Sequence, residues 1–224
     1  MEAKIKRQVA LTEARRALIL AAAQSVLNRV GIEKASMREI AAEAGYTPGA
    51  IYGYFAGKQM LLGGLLDSMV SRLSLAVGQS SAPKGLPDQG LAVKGRVWMR
   101  YFKDNPFDRQ LLLKFCSSSR AFSPDGSEEL NIRDRMMRTL EPLLLTEPLS
   151  GLEPEAAALE LESILVYALG LLLTYREDQW RSTGQSICDR FDLYLVRLSG
   201  TYRTLANIDV PHSEQNVSQM DMFG

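Results

Sequence analysis

The chain has 224 residues, 46% of them hydrophobic and 23% charged, with 26 Lys and Arg against 26 Asp and Glu. That composition excludes wholesale disorder, and no uncharged run approaches the ~18–20 residues of a membrane span. One histidine, His212, and two distant cysteines, Cys116 and Cys188, argue against the usual Cys/His zinc sites and a histidine-based triad, and suit a reducing cytoplasm.

Charge is unevenly placed. Residues 1–60 carry nine Lys and Arg against five acids, an excess of four, so the remainder carries an equal deficit. A basic N-terminal part on an acidic body points to a polyanion partner for that part. Arg15 and Arg16 followed by the apolar run Ala17–Ala23 superficially resemble a signal peptide. The run is short, and Leu18, Ile19, Ala22, Val26 and Val30 fit one side of a helix better.

Apolar residues recur at three and four nearly everywhere, which predicts an all-α protein. The first helix is expected over Thr12–Val30, capped by Thr12 and ended by Gly31, with Lys4, Lys6 and Arg7 as an unstructured basic tip or an arm that touches DNA. The second opens on a capping box, Ser36-Met-Arg-Glu39, and stops at Gly45. The third has Thr47 as cap and Pro48 in its first turn, reaching about Tyr54. A long fourth helix runs from Lys58 to about Gly78, and Gln79–Gly90 reads as a loop. Further helices are expected over Leu91–Lys103, Phe107–Phe122, Ser127–Leu145, Pro154–Trp180 and Gly184–Ala206, with a frayed tail from Asn207.

The pair Ser36–Ala44 and Thr47–Tyr54 has the form of a helix-turn-helix. Ala41 and Ala42 allow close approach, Gly45 the sharp turn, and Ile40, Ala44, Ile51 and Phe55 a small core. The second helix of such a unit presents its N-terminal end to the major groove. Spacing alone leaves this reading level with a helical hairpin that merely packs.

The residues Ala35-Ser-Met-Arg-Glu-Ile-Ala-Ala-Glu-Ala-Gly45, then Tyr46-Thr-Pro-Gly-Ala-Ile-Tyr-Gly-Tyr-Phe55 and Lys58, resemble the N-terminal domain of the TetR family of transcriptional regulators. The resemblance covers about residues 12–66. It implies phosphate contacts from Ser36 and Arg38, base-edge and phosphate contacts from Thr47, Pro48, Gly49 and Ala50, and phosphate contacts from Tyr52, Tyr54 and Lys58. Tyr52 could instead be purely structural, and Arg38 a solvated surface charge. Gly53 departs from the larger residue common in the family. A recognition helix without charged side chains would lean on apolar contacts to thymine methyls and on DNA shape.

The same resemblance implies a domain division at 1–57 for DNA binding and 58–206 for ligand binding and dimerisation, with 207–224 as a flexible tail. Ile164, Ala168, Phe191, Tyr194, Leu198 and Tyr202 are the expected dimer residues, in a four-helix interface, the alternative being that these are simply internal core helices. Aromatic and soft residues of the middle helices, Trp98, Tyr101, Phe102, Phe115, Cys116, Met137, Tyr167 and Tyr175, are candidate lining residues of an apolar ligand cavity, although each fits a plain core position too. With His212 in the tail, a metal-dependent effector is not expected, nor is any cofactor or metal site. The expected protein is a cytoplasmic, homodimeric, non-enzymatic repressor of a palindromic DNA operator, released by a small apolar organic effector and without a membrane partner. The alternative is a DNA-bound protein whose body binds another protein.

Overall fold

The computed structural model describes residues 2–84, 89–117, 132–175 and 185–206. Among these the regular elements are helical: α1 (Glu2–Val30), α2 (Met37–Glu43), α3 (Pro48–Tyr52), α4 (Lys58–Gln79), α5 (Gly90–Asp104), α6 (Pro106–Ser117), α7 (Ile132–Leu140), α8 (Pro154–Thr174) and α9 (Ile187–Ala206). Two 3₁₀ turns, Glu141–Leu145 and Leu149–Gly151, join α7 to α8. The expected ends at Phe122, Ser127 and Trp180, and the tail from Asn207, lie outside the described residues.

The start of α1 corrects the expectation of a basic tip followed by a Thr12 cap. The helix begins ten residues earlier, and the Thr12 hydroxyl donates to the Gln8 carbonyl, 3.0 Å away, inside it. Nothing between Glu2 and Thr12 breaks a helix, and its Ala, Lys, Arg, Gln and Glu are good helix formers. At the other end of the described chain, α9 opens on a reciprocal cap. The Ser186 amide donates to Asp189 Oδ2 at 2.7 Å, and the Asp189 amide to Ser186 Oγ at 3.2 Å. These bonds hold the Asp189 carboxyl below its ordinary range.

One continuous apolar core runs through the molecule. Ile19, Ala23, Val26 and Leu27 of α1 meet Ile40 and Ala41 of α2, Ile51 of α3, and Phe55, all buried. Ala44, expected in this core, is only half-buried. Helix α4 supplies Leu61, Leu62 and Leu65 near its start and Met69, Leu73 and Val77 further on, and it packs against α1, α5, α6 and α7. It is therefore shared between the three N-terminal helices and the bundle behind them. Each such leucine or methionine contributes about 1.5–3 kcal/mol on burial.

Helices α4 and α8 also correct the membrane-span estimate. Both are long and apolar enough to cross a bilayer by length and composition, with mean hydropathy 1.4 and 1.8 over 18 residues. In the fold, α4 turns most of its apolar residues into this core and leaves Met60 and Leu75 exposed, while α8 keeps a second apolar side exposed.

Helices α5 and α9 pack tightly at Gly95. A Cβ there would run into Leu195 Cδ1 and lie 3.2 Å from Phe191 Cε1, and both side chains are fully buried. Gly95→Ala is expected to lower stability by about 1–3 kcal/mol, the usual cost of overpacking a dense core. A denaturant midpoint that falls with an unchanged slope checks it.

Candidate nucleic-acid interface and the body behind it

The helix-turn-helix is held by bonds that span only a few residues. Ser36 Oγ accepts from the Glu39 amide at 3.2 Å, and the Glu39 carboxylate accepts from the Ser36 amide at 2.9 Å and from its hydroxyl at 2.7 Å. Hydrogen bonds from Ser36 hold the Glu39 carboxyl below its ordinary range. The hydroxyl is thus engaged on both sides in the cap. Gly45 turns the chain with φ +72°, a conformation that side-chain-bearing residues rarely adopt. Thr47 Oγ1 then accepts from the Ala50 amide at 3.2 Å and opens α3 ahead of Pro48. Glu43 pins the unit to α1 by accepting from Ser25 at 2.9 Å and facing Arg29 at 3.4 Å.

With Ile51 turned inward, α3 leaves Thr47, Pro48, Gly49 and Ala50 exposed together, and Tyr52 is 51% exposed beside them. Exposure argues against a purely structural Tyr52. Arg38 is exposed on α2. Tyr54 is half-buried, its ring edge-on to Tyr46 at 6.0 Å. Its carbonyl accepts from Arg16 at 2.8 Å, and its hydroxyl lies 3.5 Å from Arg15 Nη1.

Lys58 has a task no sequence signal announced. Its ammonium donates to the Glu33 carbonyl at 2.9 Å and to the Ala35 carbonyl at 2.7 Å, closing the turn between α1 and α2. One of its three N–H groups remains. The Glu33 side chain is ion-paired to Lys114 of α6, which tethers the same turn to the body and lowers the Glu33 carboxyl.

In the body the candidate ligand residues separate. Trp98 and Phe102 are fully buried, their rings 4.8 Å apart, and Phe115 is buried as well. The indole N–H of Trp98 donates to Thr139 Oγ1 at 2.8 Å, and Thr139 donates on to the Met136 carbonyl. Met137 is half-buried against the core, as is Tyr175, over which the Arg109 guanidinium sits at 4.9 Å. Two expectations are corrected. Cys116 is on the exposed side of α6. Tyr167 faces outward from α8, 38% exposed and stacked on Tyr194 at 4.2 Å.

Tyr101 belongs to a polar cluster joining three helices. Its hydroxyl donates to Asp108 Oδ2 at 2.5 Å and accepts from Arg72 Nε at 3.2 Å, while Arg72 Nη2 reaches the same carboxylate at 2.9 Å. Burial, reinforced by the bond to Asp108, pushes the Tyr101 phenol up to about 12. Burial and the Glu160 carboxylate, 2.8 Å from its hydroxyl, push Tyr202 up to about 12 as well. Folding therefore favours the protonated phenols. Their contribution is intact below pH ~10, the free tyrosine value, and is lost as pH rises through the folded values of about 12. Alkaline titration of phenolate absorbance should show these two tyrosines ionising late, and Tyr101→Phe should remove one of them.

Three of the expected dimer residues turn inward, and three stay partly open. Ile164, Ala168 and Phe191 are buried inside the protomer, and Tyr194, Leu198 and Tyr202 are half-buried. The apolar side left exposed on α8 is Leu159, Val166 and Leu173, with Ser163 and Gly170 between them; α9 adds Leu193 and Val196. Leu159, Glu162, Ser163, Val166, Tyr167 and Tyr194 line an open depression of about 530 Å³ on this face. Helix α8 is apolar nearly all round, so its periodicity could not tell the inner side from the outer.

Known proteins match this arrangement. A family model of bacterial regulatory proteins, the tetR family, covers residues 19–65. The HTH-type transcriptional repressor DrrR1 of Streptomyces coeruleorubidus is 26% identical over 199 residues, which cover 85% of this chain and 67% of that protein. The HTH-type transcriptional regulator BetI of Vibrio campbellii is 34% identical over 73 residues, 33% of this chain and 37% of BetI. Among solved structures, RolR in complex with its ligand resorcinol is similar in fold, with a TM-score of 0.58 at 17% identity over 91% of this chain and 98% of RolR.

Proposed function

We propose that this chain is a transcriptional regulator of the TetR family, a homodimeric repressor that leaves a palindromic operator when a small apolar organic molecule binds its body. The observation that carries the reading is the exposed face of α3. Thr47, Pro48, Gly49, Ala50 and Tyr52 stand clear on a unit held rigid by two side-chain caps. In this reading the face enters the major groove, and its small side chains meet thymine methyls and phosphates. Arg38 and Tyr52 hold flanking phosphates. Ser36 and Lys58 serve mainly by fixing the unit, because their polar groups already bond within it.

Residues 1–57 form the DNA-binding domain and 58–206 the body. The outer apolar side of α8, with α9, meets the same side of a second copy, in an isologous contact that presents two heads to a two-fold operator. Ser163 and Gly170 are small enough to let the helices approach. The ligand of RolR, resorcinol, is a small aromatic molecule, and a molecule of that class suits the aromatic interior around Trp98, Phe102 and Phe115. Helix α4 transmits binding, since it starts at Lys58 beneath the head and carries Arg72 in the body. The effector must prefer the DNA-free arrangement by ~1–3 kcal/mol for a useful 5–150-fold change in affinity.

Duplexes selected from a random pool by the full chain provide the probe. Ala50→Glu, on the exposed face, should abolish binding to them while thermal stability is kept. Resorcinol and a panel of related phenols and hydrocarbons should include a compound that releases the wild-type protein. Undiminished binding by the variant removes α3 from the interface, and a panel without any releasing compound overturns the effector class.

A further inference from the structure

From Glu2 to Leu11 every residue of α1 is exposed, so the first three turns of this helix bury nothing. An isolated helix of that length is marginal in water, and this one precedes the residues that match the family model. Its charges are sorted by side. Lys4, Arg7, Leu11, Arg15 and Leu18 recur at three and four and share one face. Glu2, Lys6 and Glu13 occupy the opposite face, where Lys6 pairs with Glu2 at 2.7 Å. Lys4 and Arg7 form no ion pair among the described residues.

The root of this segment is fixed beside the end of the recognition element. Arg16 is held by the Tyr54 carbonyl at 2.8 Å and lies over the Phe55 ring at 4.4 Å. Arg15, on the basic face, reaches the Tyr54 hydroxyl at 3.5 Å. The basic face is thus continuous with the side of the head that Tyr54 occupies, just after α3. At 1.5 Å per residue, Arg7 lies about 12 Å and Lys4 about 16 Å beyond Arg15. At 3.4 Å per step of one strand, that is roughly four to five base pairs.

We propose that the first half of α1 is a helical arm that docks on duplex DNA outside the base pairs covered by α3, with Arg15, Arg7 and Lys4 each neutralising a backbone phosphate. The proposal rests on the operator-binding reading above and extends its footprint. The partner is the sugar–phosphate backbone, because the face offers exposed long cationic side chains spaced along the arm with leucines between them, and cations so placed neutralise successive phosphates. Such an arm adds affinity and salt dependence without adding base specificity.

The test compares the full wild-type chain with Lys4→Ala/Arg7→Ala on one selected operator, in a short duplex ending at the α3 footprint and in a duplex about six base pairs longer at each end. Both side chains are exposed, so equal melting temperatures are expected. On the long duplex the variant should lose about two units of log Kd against log salt per head, about four per dimer. On the short duplex the two proteins should agree. Equal slopes on the long duplex, with operator binding intact, overturn the arm. Assembly beyond a dimer that disappears on changing the exposed Ile5 and Val9 to Ser, with equal slopes, overturns it in favour of a protein contact. A wild-type chain that selects no duplex fails at the operator-binding reading itself, before the arm is reached.

Discussion

Val166→Asp is expected to yield a folded monomer that has lost its grip on the operator. Val166 is 64% exposed in the protomer, so the substitution costs the single chain little. In a two-fold interface built on the outer side of α8, each copy would bring a carboxylate into an apolar seam, and the two charges would lie near each other. Unpaired charges so placed cost several kcal/mol. Splitting the dimer converts linked binding of two heads into independent half-site binding, a loss of about 10²–10⁴ in apparent affinity. Sedimentation and titration of a labelled duplex read the two effects. Ile164→Asp, two residues away but fully buried, should instead unfold the chain. A dimeric Val166→Asp protein would place the seam elsewhere.

The second large effect is expected at Asp108. Its side chain is 4% exposed and accepts from both Arg72 and Tyr101. Asp108→Ala leaves a cation and a phenol without their shared acceptor. Arg72 is 47% exposed, so water recovers part of its solvation. The 3–5 kcal/mol typical of breaking a wholly buried pair is reduced here to about 2–3 kcal/mol. For a chain of this size that is a fall of roughly 5–10 °C in Tm. Asp108→Asn keeps one acceptor oxygen and should lose less. The cluster ties α4 to α5 and α6, so in the proposed mechanism the alanine variant also binds the operator more weakly without effector. Unchanged operator affinity in a folded Asp108→Ala protein would remove this cluster from the path between body and head.

The sequence announces most of what closes within about four residues, the Ser186–Asp189 cap of α9 excepted. The Ser36–Glu39 box, the Gly45 turn and the Thr47–Pro48 start are local hydrogen-bond or dihedral requirements, so their residue types announce them. The all-helical class followed from those and from the three-and-four spacing, whereas the helix-turn-helix was told from a hairpin that merely packs only by the resemblance of residues 35–58 to the TetR N-terminal domain. The start of α1 is ambiguous even at this range, because Thr12 suits a cap yet also tolerates a helix interior when nothing before it breaks the helix. Contacts between residues far apart in the chain came from packing. Lys58 on the Glu33 and Ala35 carbonyls, Trp98 on Thr139, and Arg72 with Tyr101 and Asp108 join separate elements. Packing also decided which side of α8 is core and which is left for a partner. The physical reason is that a helix's own sequence sets its pattern around the axis, but its rotation against its neighbours is set by packing. Where the pattern is apolar all round, packing alone chooses the side.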